Sequence, residues 1–270
     1  MKTKLGIPTC AFCRPLREIL EHEPVFSLDV TTSAEVAKKL REGDIQAGLV
    51  SPIEYARESS EYRILPGLAI SSRSAIALYF REGIRSIRTL AAEPSLVADI
   101  VLARIVLAEE FEIRPAIVPL MNCSLDRMLA RGDSALLSGD AFITESGTHR
   151  NNMDLVELWV EMVDLPYVHG FFCAREGAIP DDEVQRLCRT GTRIRALLDS
   201  ERDRTTKVVD AMEQARRAYI DRFSYNLTRV EEDAIVEFIS YAHYHGFLAD
   251  IPGLRFYPGG MAGESPVSRN

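Results

Sequence analysis

Two stretches of this chain end a buried apolar run on small polar residues. They are Asp44-Ile45-Gln46-Ala47-Gly48-Leu49-Val50-Ser51-Pro52 in the first quarter and Ser134-Ala135-Leu136-Leu137-Ser138-Gly139-Asp140-Ala141 near the middle. Each follows an amphipathic helical segment closed by a Gly-Asp dipeptide, Ala34 to Gly43-Asp44 and Ser124 to Gly132-Asp133. Short apolar runs without alternation read as strands covered on both faces. A strand that ends in Ser, Gly or Asp and passes into a helix start exposes backbone N–H groups, which suits an anionic small molecule. Two such ends, one per half, predict two lobes facing one cleft.

The remaining pattern extends this reading. Strands are expected at residues 5–8, 25–30, 45–50, 76–80, 116–119, 135–137 and 168–174, with short extended pieces at 64–65 and 68–71. Helical segments lie between them, including a start at Ser86–Leu90 and a long apolar helix from Leu96 to Phe111. Alternation of this kind predicts an α/β fold with largely parallel sheets. From Pro180 to about Tyr225 the chain reads as two helices, and Thr228-Arg229-Val230-Glu231 is a capping box that opens a last one. The tail after Tyr257, rich in Gly, reads as frayed. The segment between the strands 76–80 and 168–174 looks inserted. The expected layout is therefore one lobe from residues 1–81 and 175–270, a second from 82–174, and a ligand between them, as in hinged binding proteins.

Composition narrows the partners. The 270 residues carry a formal net charge of -8, which disfavours nucleic acid and anionic membrane, since both need a basic face. No apolar run is long enough for a signal peptide or a span, and Arg104 interrupts the longest one, so a soluble cytoplasmic protein is expected. The five cysteines are odd in number and scattered, against a disulfide framework. Cys10-Ala11-Phe12-Cys13 is a lone C-x-x-C without a second ligand pair, so no metal is expected there. P-loop, G-x-G-x-x-G, H-E-x-x-H and G-x-S-x-G motifs are all missing, and no cofactor is expected. A second copy of the chain is the one macromolecular partner left open.

A family resemblance rests on longer phrases. Gly48-Leu49-Val50-Ser51-Pro52-Ile53-Glu54-Tyr55-Ala56, then Tyr62-Arg63-Ile64-Leu65-Pro66-Gly67-Leu68-Ala69-Ile70, Ala135–Ala141, Asp154-Leu155 with Trp159, Asp164-Leu165-Pro166-Tyr167-Val168, and Tyr225-Asn226-Leu227-Thr228 occur in an order that resembles the menaquinone-biosynthesis proteins of the futalosine pathway. The chorismate dehydratase type is the nearest of these. The resemblance covers almost the whole chain. It implies a periplasmic-binding-protein-like (type II) fold used without export, and a lyase that takes water from chorismate to give 3-[(1-carboxyvinyl)oxy]benzoate. In that reaction the substrate's own carboxylate can serve as base.

Departures accompany the matches. The family's Tyr-Leu-Asn-x-x-Pro-Leu reads here Cys10-Ala11-Phe12 before Pro15-Leu16, and its Ser-x-Thr-Ser reads Ser95-Leu96-Val97-Ala98. Phe171-Phe172-Cys173 stands where the family places a Trp. Phe12 and Ala98 can neither hold a substrate by hydrogen bonds nor carry a proton. The second reading is therefore a non-catalytic cytoplasmic binding protein, or a divergent enzyme, for another small carboxylic acid.

The candidate residues follow from these strand ends. Asp140 and His169 are the expected proton-transfer groups, with an N-cap role for Asp140 and a packed core role for His169 as the plain alternatives. Thr9, Cys10, Phe12, Ser51, Ser72, Ser74, Ser95, Ala98, Gly139 and Tyr167 are the expected substrate-binding positions. Ser51 and Ser95 can equally cap helices. Arg14 and Arg73 could each neutralise a carboxylate, or lie at the surface.

Overall fold

The computed structural model describes residues 2–145, 151–203 and 210–258, so the Gly-rich tail beyond Pro258 lies outside the described residues. Two sheets organise the chain. The first contains β1 (Thr3–Pro8), β2 (Phe26–Thr31), β3 (Ala47–Val50), β4 (Tyr62–Ser72), β10 (Tyr167–Arg175) and β11 (Phe223–Ser224), in the order β11-β4-β10-β3-β1-β2. The second contains β5 (Ile76–Phe80), β6 (Thr89–Ala92), β7 (Ala116–Pro119), β8 (Ser134–Ser138) and β9 (Asn152–Asp154), in the order β7-β6-β8-β5-β9.

Sheet membership corrects the expected lobe bounds. The strand 76–80 belongs to the second sheet and 167–175 to the first. The chain therefore crosses at 73–75 and again at 164–166, not at 82 and 174. A fully buried strand carries no local mark of the sheet it joins. The polar turn at Arg81-Glu82-Gly83 only ends the first strand of the second lobe. The sheets are also mixed. β1 pairs in parallel with β2 and β3, as β6 does with β7 and β8, whereas β10 and β5 run antiparallel to their neighbours. The antiparallel pairing arises where β4 leaves the first lobe and β10 returns to it.

Helices cover both faces. They are α1 (Arg14–Glu21), preceded by a 3-10 turn at Ala11–Cys13, α2 (Ser33–Glu42), α3 (Pro52–Arg57), α4 (Val97–Phe111), α5 (Leu125–Leu129), α6 (Gly139–Glu145) and α7 (Leu155–Val163). After β10 come α8 (Asp181–Cys188), α9 (Thr190–Asp203), α10 (Ala211–Ile220) and α11 (Arg229–Tyr244). The stretch 180–225 thus holds three helices and β11 rather than two helices. Caps follow the sequence. Thr32 Oγ1 accepts from Glu35 N at 3.3 Å, Gly43 closes α2 with φ +81°, and Thr228 and Glu231 form the capping box of α11. The expected helix start at 86–90 is instead the entry to β6. There the Asp133 carboxylate accepts from the backbone N–H groups of Arg88 and Thr89 and from Thr89 Oγ1, holding the segment extended. No described helix is long and apolar enough to cross a membrane.

Two apolar cores form, one on each side of the sheets, and each runs through both lobes. One joins Leu5, Leu16 and Phe172 to Ala77, Leu125 and Phe142. The other joins Val36, Tyr55 and Phe171 to Leu78, Leu102 and Trp159. The two short extended pieces read near residue 65 are one strand, β4, kinked at Gly67. Gly67 has φ +85°, and a Cβ there would come 2.5 Å from the Cys188 carbonyl oxygen. Gly67→Ala combines a disfavoured backbone with a backbone clash. It is expected to lower stability by about 2 kcal/mol or more, read as a lower denaturant midpoint with an unchanged slope.

Candidate active site

The cleft between the lobes is built from strand ends and helix starts. An inner chamber of about 60 Å³ is lined by Cys10, Phe12 and Ser51 from the first lobe, Ala98, Asp99 and Ser138 from the second, and His169 on the crossing strand β10. An outer chamber of about 210 Å³ adds Thr9, Thr32, Glu93, Gly139 and Asp140. Cys10, Ser33, Ser95, Leu96 and Ser138 line both, so the two chambers adjoin. A third cavity, of about 280 Å³, lies apart between α1, α9 and α10 and touches none of these residues.

One residue that the sequence reading passed over dominates the cleft. Asp99 lies in the first turn of α4, directly after Ala98. Its Oδ2 accepts from Ser138 Oγ at 2.9 Å and its Oδ1 from Tyr167 Oη at 3.5 Å. Burial pushes this carboxyl up to about 6, while the two hydroxyl donors pull the other way. Two elements from opposite lobes, β8 and β10, thus hold one desolvated acid. Nothing in the local sequence flags it, because an Asp in a first helical turn ordinarily serves the helix dipole. The two cysteines at the start of α1 are uncharged. Burial, with Asp99 second, raises the Cys10 thiol to about 12, and burial lifts Cys13 well above the usual thiol range. Both therefore keep their protons at neutral pH in the chain by itself.

His169 is packed among Phe12, Tyr167 and Phe223, with ring centroids 4.8–5.1 Å away. Its Nε2 shares a hydrogen bond of 2.8 Å with Ser72 Oγ. Burial holds it down to about 3, so the ring is neutral near pH 7.

The other expected positions divide. Thr9, Cys10, Phe12, Ser51, Ser95, Ala98 and Gly139 line the cleft, and Tyr167 reaches it through Asp99. Ser51 also caps α3, its Oγ accepting from Glu54 N at 3.4 Å. Ser72 stands behind His169, and Ser74 lies in the 73–75 crossing outside both chambers. Asp140 sits on the rim with its side chain 62% exposed, 3.9 Å from Arg216 Nε. The Gly139 N–H points not to the cleft but to Tyr219 Oη, at 3.0 Å. Arg14 is held by Glu213 beside the separate cavity, and Arg73 faces Asp164 at the surface. Among the described residues no Arg or Lys lines either chamber of the cleft. An anion there would meet hydroxyls and the first-turn N–H groups of α2 and α4, which have no intrahelical acceptors.

Comparisons with solved structures place this geometry. A structure of protein AF1704 from Archaeoglobus fulgidus aligns over 92% of this chain and 98% of its own with TM-score 0.70 and 17% identity. The zinc-bound ligand-binding component of an ABC-type import system from Staphylococcus aureus aligns over 98% and 100% with TM-score 0.68 and 10% identity. The periplasmic aliphatic sulphonate binding protein SsuA from Escherichia coli aligns over 100% and 98% with TM-score 0.66 and 10% identity. The class is thus the two-lobed periplasmic-binding-protein fold. Within it, the family model described as menaquinone biosynthesis matches residues 3–244, and the chain belongs to that family.

The buried ionisable groups set signs for stability. Between about pH 4 and pH 6 the fold keeps a proton on Asp99 that the unfolded chain has released. Asp99 therefore costs stability as pH rises through that window, with the full cost above it. His169 acts oppositely: from about pH 6.5 down to 3 the unfolded chain takes a proton that the fold refuses. Asp99→Asn is expected to match the wild type near pH 4 and to melt a few degrees higher at pH 7.5. A melting-temperature difference that does not change with pH would rule out a desolvated Asp99.

Proposed function

We propose that this chain is a cytoplasmic lyase of menaquinone biosynthesis that removes water from chorismate, leaving 3-[(1-carboxyvinyl)oxy]benzoate. The observation that carries the reading is Asp99: a carboxyl inside the cleft, held by Ser138 and Tyr167, with a proton affinity close to working pH. In chorismate the ring carbon bearing the ether also bears a hydrogen, and the adjacent carbon bears the hydroxyl. Loss of that proton sends the C–H electron pair into the ring, the neighbouring C–O bond breaks, and the ring becomes aromatic. The hydroxide that departs takes a proton and leaves as water. The hydrogen and the hydroxyl share one face of the ring, so a single carboxyl on that face can accept the first and protonate the second.

The surroundings assist by position and not by charge. Ser33, Ser51 and Ser95, with the N-terminal N–H groups of α2 and α4, would hold the substrate carboxylates, and Phe12 with neutral His169 would face the ring. Exclusion of water strengthens each of these contacts. Family membership supports the pathway; the dehydration itself and the cytoplasmic setting are this reading's own steps.

The test is turnover of chorismate by purified protein, with product mass lower by one water. Activity should rise with pH through about 6 as Asp99 ionises. Asp99→Asn should lose about 10²–10⁴-fold in kcat with KM little changed. The apolar replacements Phe12 and Ala98 in the cleft favour a second reading, a binding protein for another carboxylic acid. Its signature would be no turnover of chorismate together with thermal stabilisation by a different aromatic acid.

A further inference from the structure

Tyr219 lies on α10, outside the cleft linings, and its buried hydroxyl joins three segments. It accepts from Gly139 N at 3.0 Å and donates to the Ala75 carbonyl at 3.3 Å. Ala75 is the last residue of the first crossing and has φ +149°, a strained value for a residue with a Cβ; its own N–H donates to Asp154 Oδ2 at 2.9 Å. Gly139 has φ +60° and directly follows Ser138, the donor to Asp99. The Tyr219 ring packs on Phe142 of the second lobe and on Phe223 of the first. A single hydroxyl therefore ties the crossing between lobes to the turn that aims Ser138.

We infer that Tyr219 is a positioning residue: its hydroxyl clamps the Ser138–Gly139 turn to the Ala75 crossing and so holds Ser138 Oγ on the Asp99 carboxylate when the lobes are together. The inference rests on the reading of Asp99 as the proton-carrying group, but the clamp is a property of the folded chain and is measured without substrate. Without it, the turn after β8 keeps its left-handed glycine but loses the partner that sets its height over α4. Ser138 then spends less time on Asp99, and a bond that favours the ionised carboxyl weakens. The other polar or titratable side chains that bond Asp99 or line the inner chamber with it are Tyr167 from β10, Cys10 just before the 3-10 turn, Ser33, Ser51, Ser95, His169 and Glu54. None of them is bonded to Tyr219.

The experiment follows the Asp99 carboxyl by its carbon-13 resonance in aspartate-labelled protein, assigned with Asp99→Asn, over pH 4–9. Tyr219→Phe removes one oxygen and keeps the ring contacts. It should raise the Asp99 midpoint by roughly half a pH unit or more, as should Ser138→Ala. Because Tyr219 acts through Ser138, the double variant should match Ser138→Ala alone. Phe142→Leu, which loosens the ring contact and leaves both hydrogen bonds, should lower stability without moving the midpoint. An unchanged midpoint in Tyr219→Phe, or additive shifts in the double variant, would overturn the inference. If Tyr219→Phe does not fold, amide exchange in the wild type decides: the Gly139 N–H should exchange only through global unfolding, and fast local exchange would overturn the clamp. Failure of chorismate turnover leaves these readouts intact, so the two proposals fail separately.

Discussion

Closure of one lobe on the other is held by side chains that cross between them, and the chemistry of the cleft depends on that closure. On one side Trp159 of α7 meets Phe238 and Tyr241 of α11 edge-on, at 5.7 and 5.4 Å, and Arg104 of α4 lies over the Phe247 ring. On the other, Phe142 of α6 packs between Tyr219 and the Arg222 guanidinium. Each contact brings a modest gain beyond the area it buries, but together they extend two apolar cores across the lobe boundary.

Burial explains the electrostatics of the cleft. Among the described residues no Arg or Lys lines the cleft; two hydroxyls offset part of the cost of ionising Asp99, and its proton affinity rises. The same burial holds Cys10 protonated and His169 neutral. A single physical cause thus brings Asp99 toward neutral pH and silences two other groups that residue type alone would favour. Selectivity among three titratable side chains comes from solvation, not from their intrinsic chemistry.

The fold was legible where local patterns carry it. The buried runs ending at Ser51 and Ser138, the Gly43 stop and the Thr228–Glu231 box all mark elements found where they were expected. What was illegible depends on distant partners. Thr89 joins β6 because Asp133, 44 residues on, takes its N–H. Gly67 reads as a break but lies inside β4, where the Cys188 carbonyl leaves no room for a Cβ. Most of the cleft's lining was legible from the strand ends. Asp99 was not, since its burial is set by Ser138 and Tyr167, 39 and 68 residues away. Tyr219 had no local signal at all, its partners being 80 and 144 residues off.

The departures from the family pattern become coherent once Asp99 is in view. Where the pattern has Ser, this chain has Ala98, and the residue directly after it is Asp99. Advancing one position along a helix turns a side chain by about 100°, so a polar group at 99 approaches the cleft from a different side than one at 98. Phe12 fills the opposite wall and stacks on Phe223 at 4.9 Å, and its carbonyl is fixed by Tyr225 Oη at 2.8 Å. An apolar wall opposite a carboxyl is the arrangement that desolvates the carboxyl.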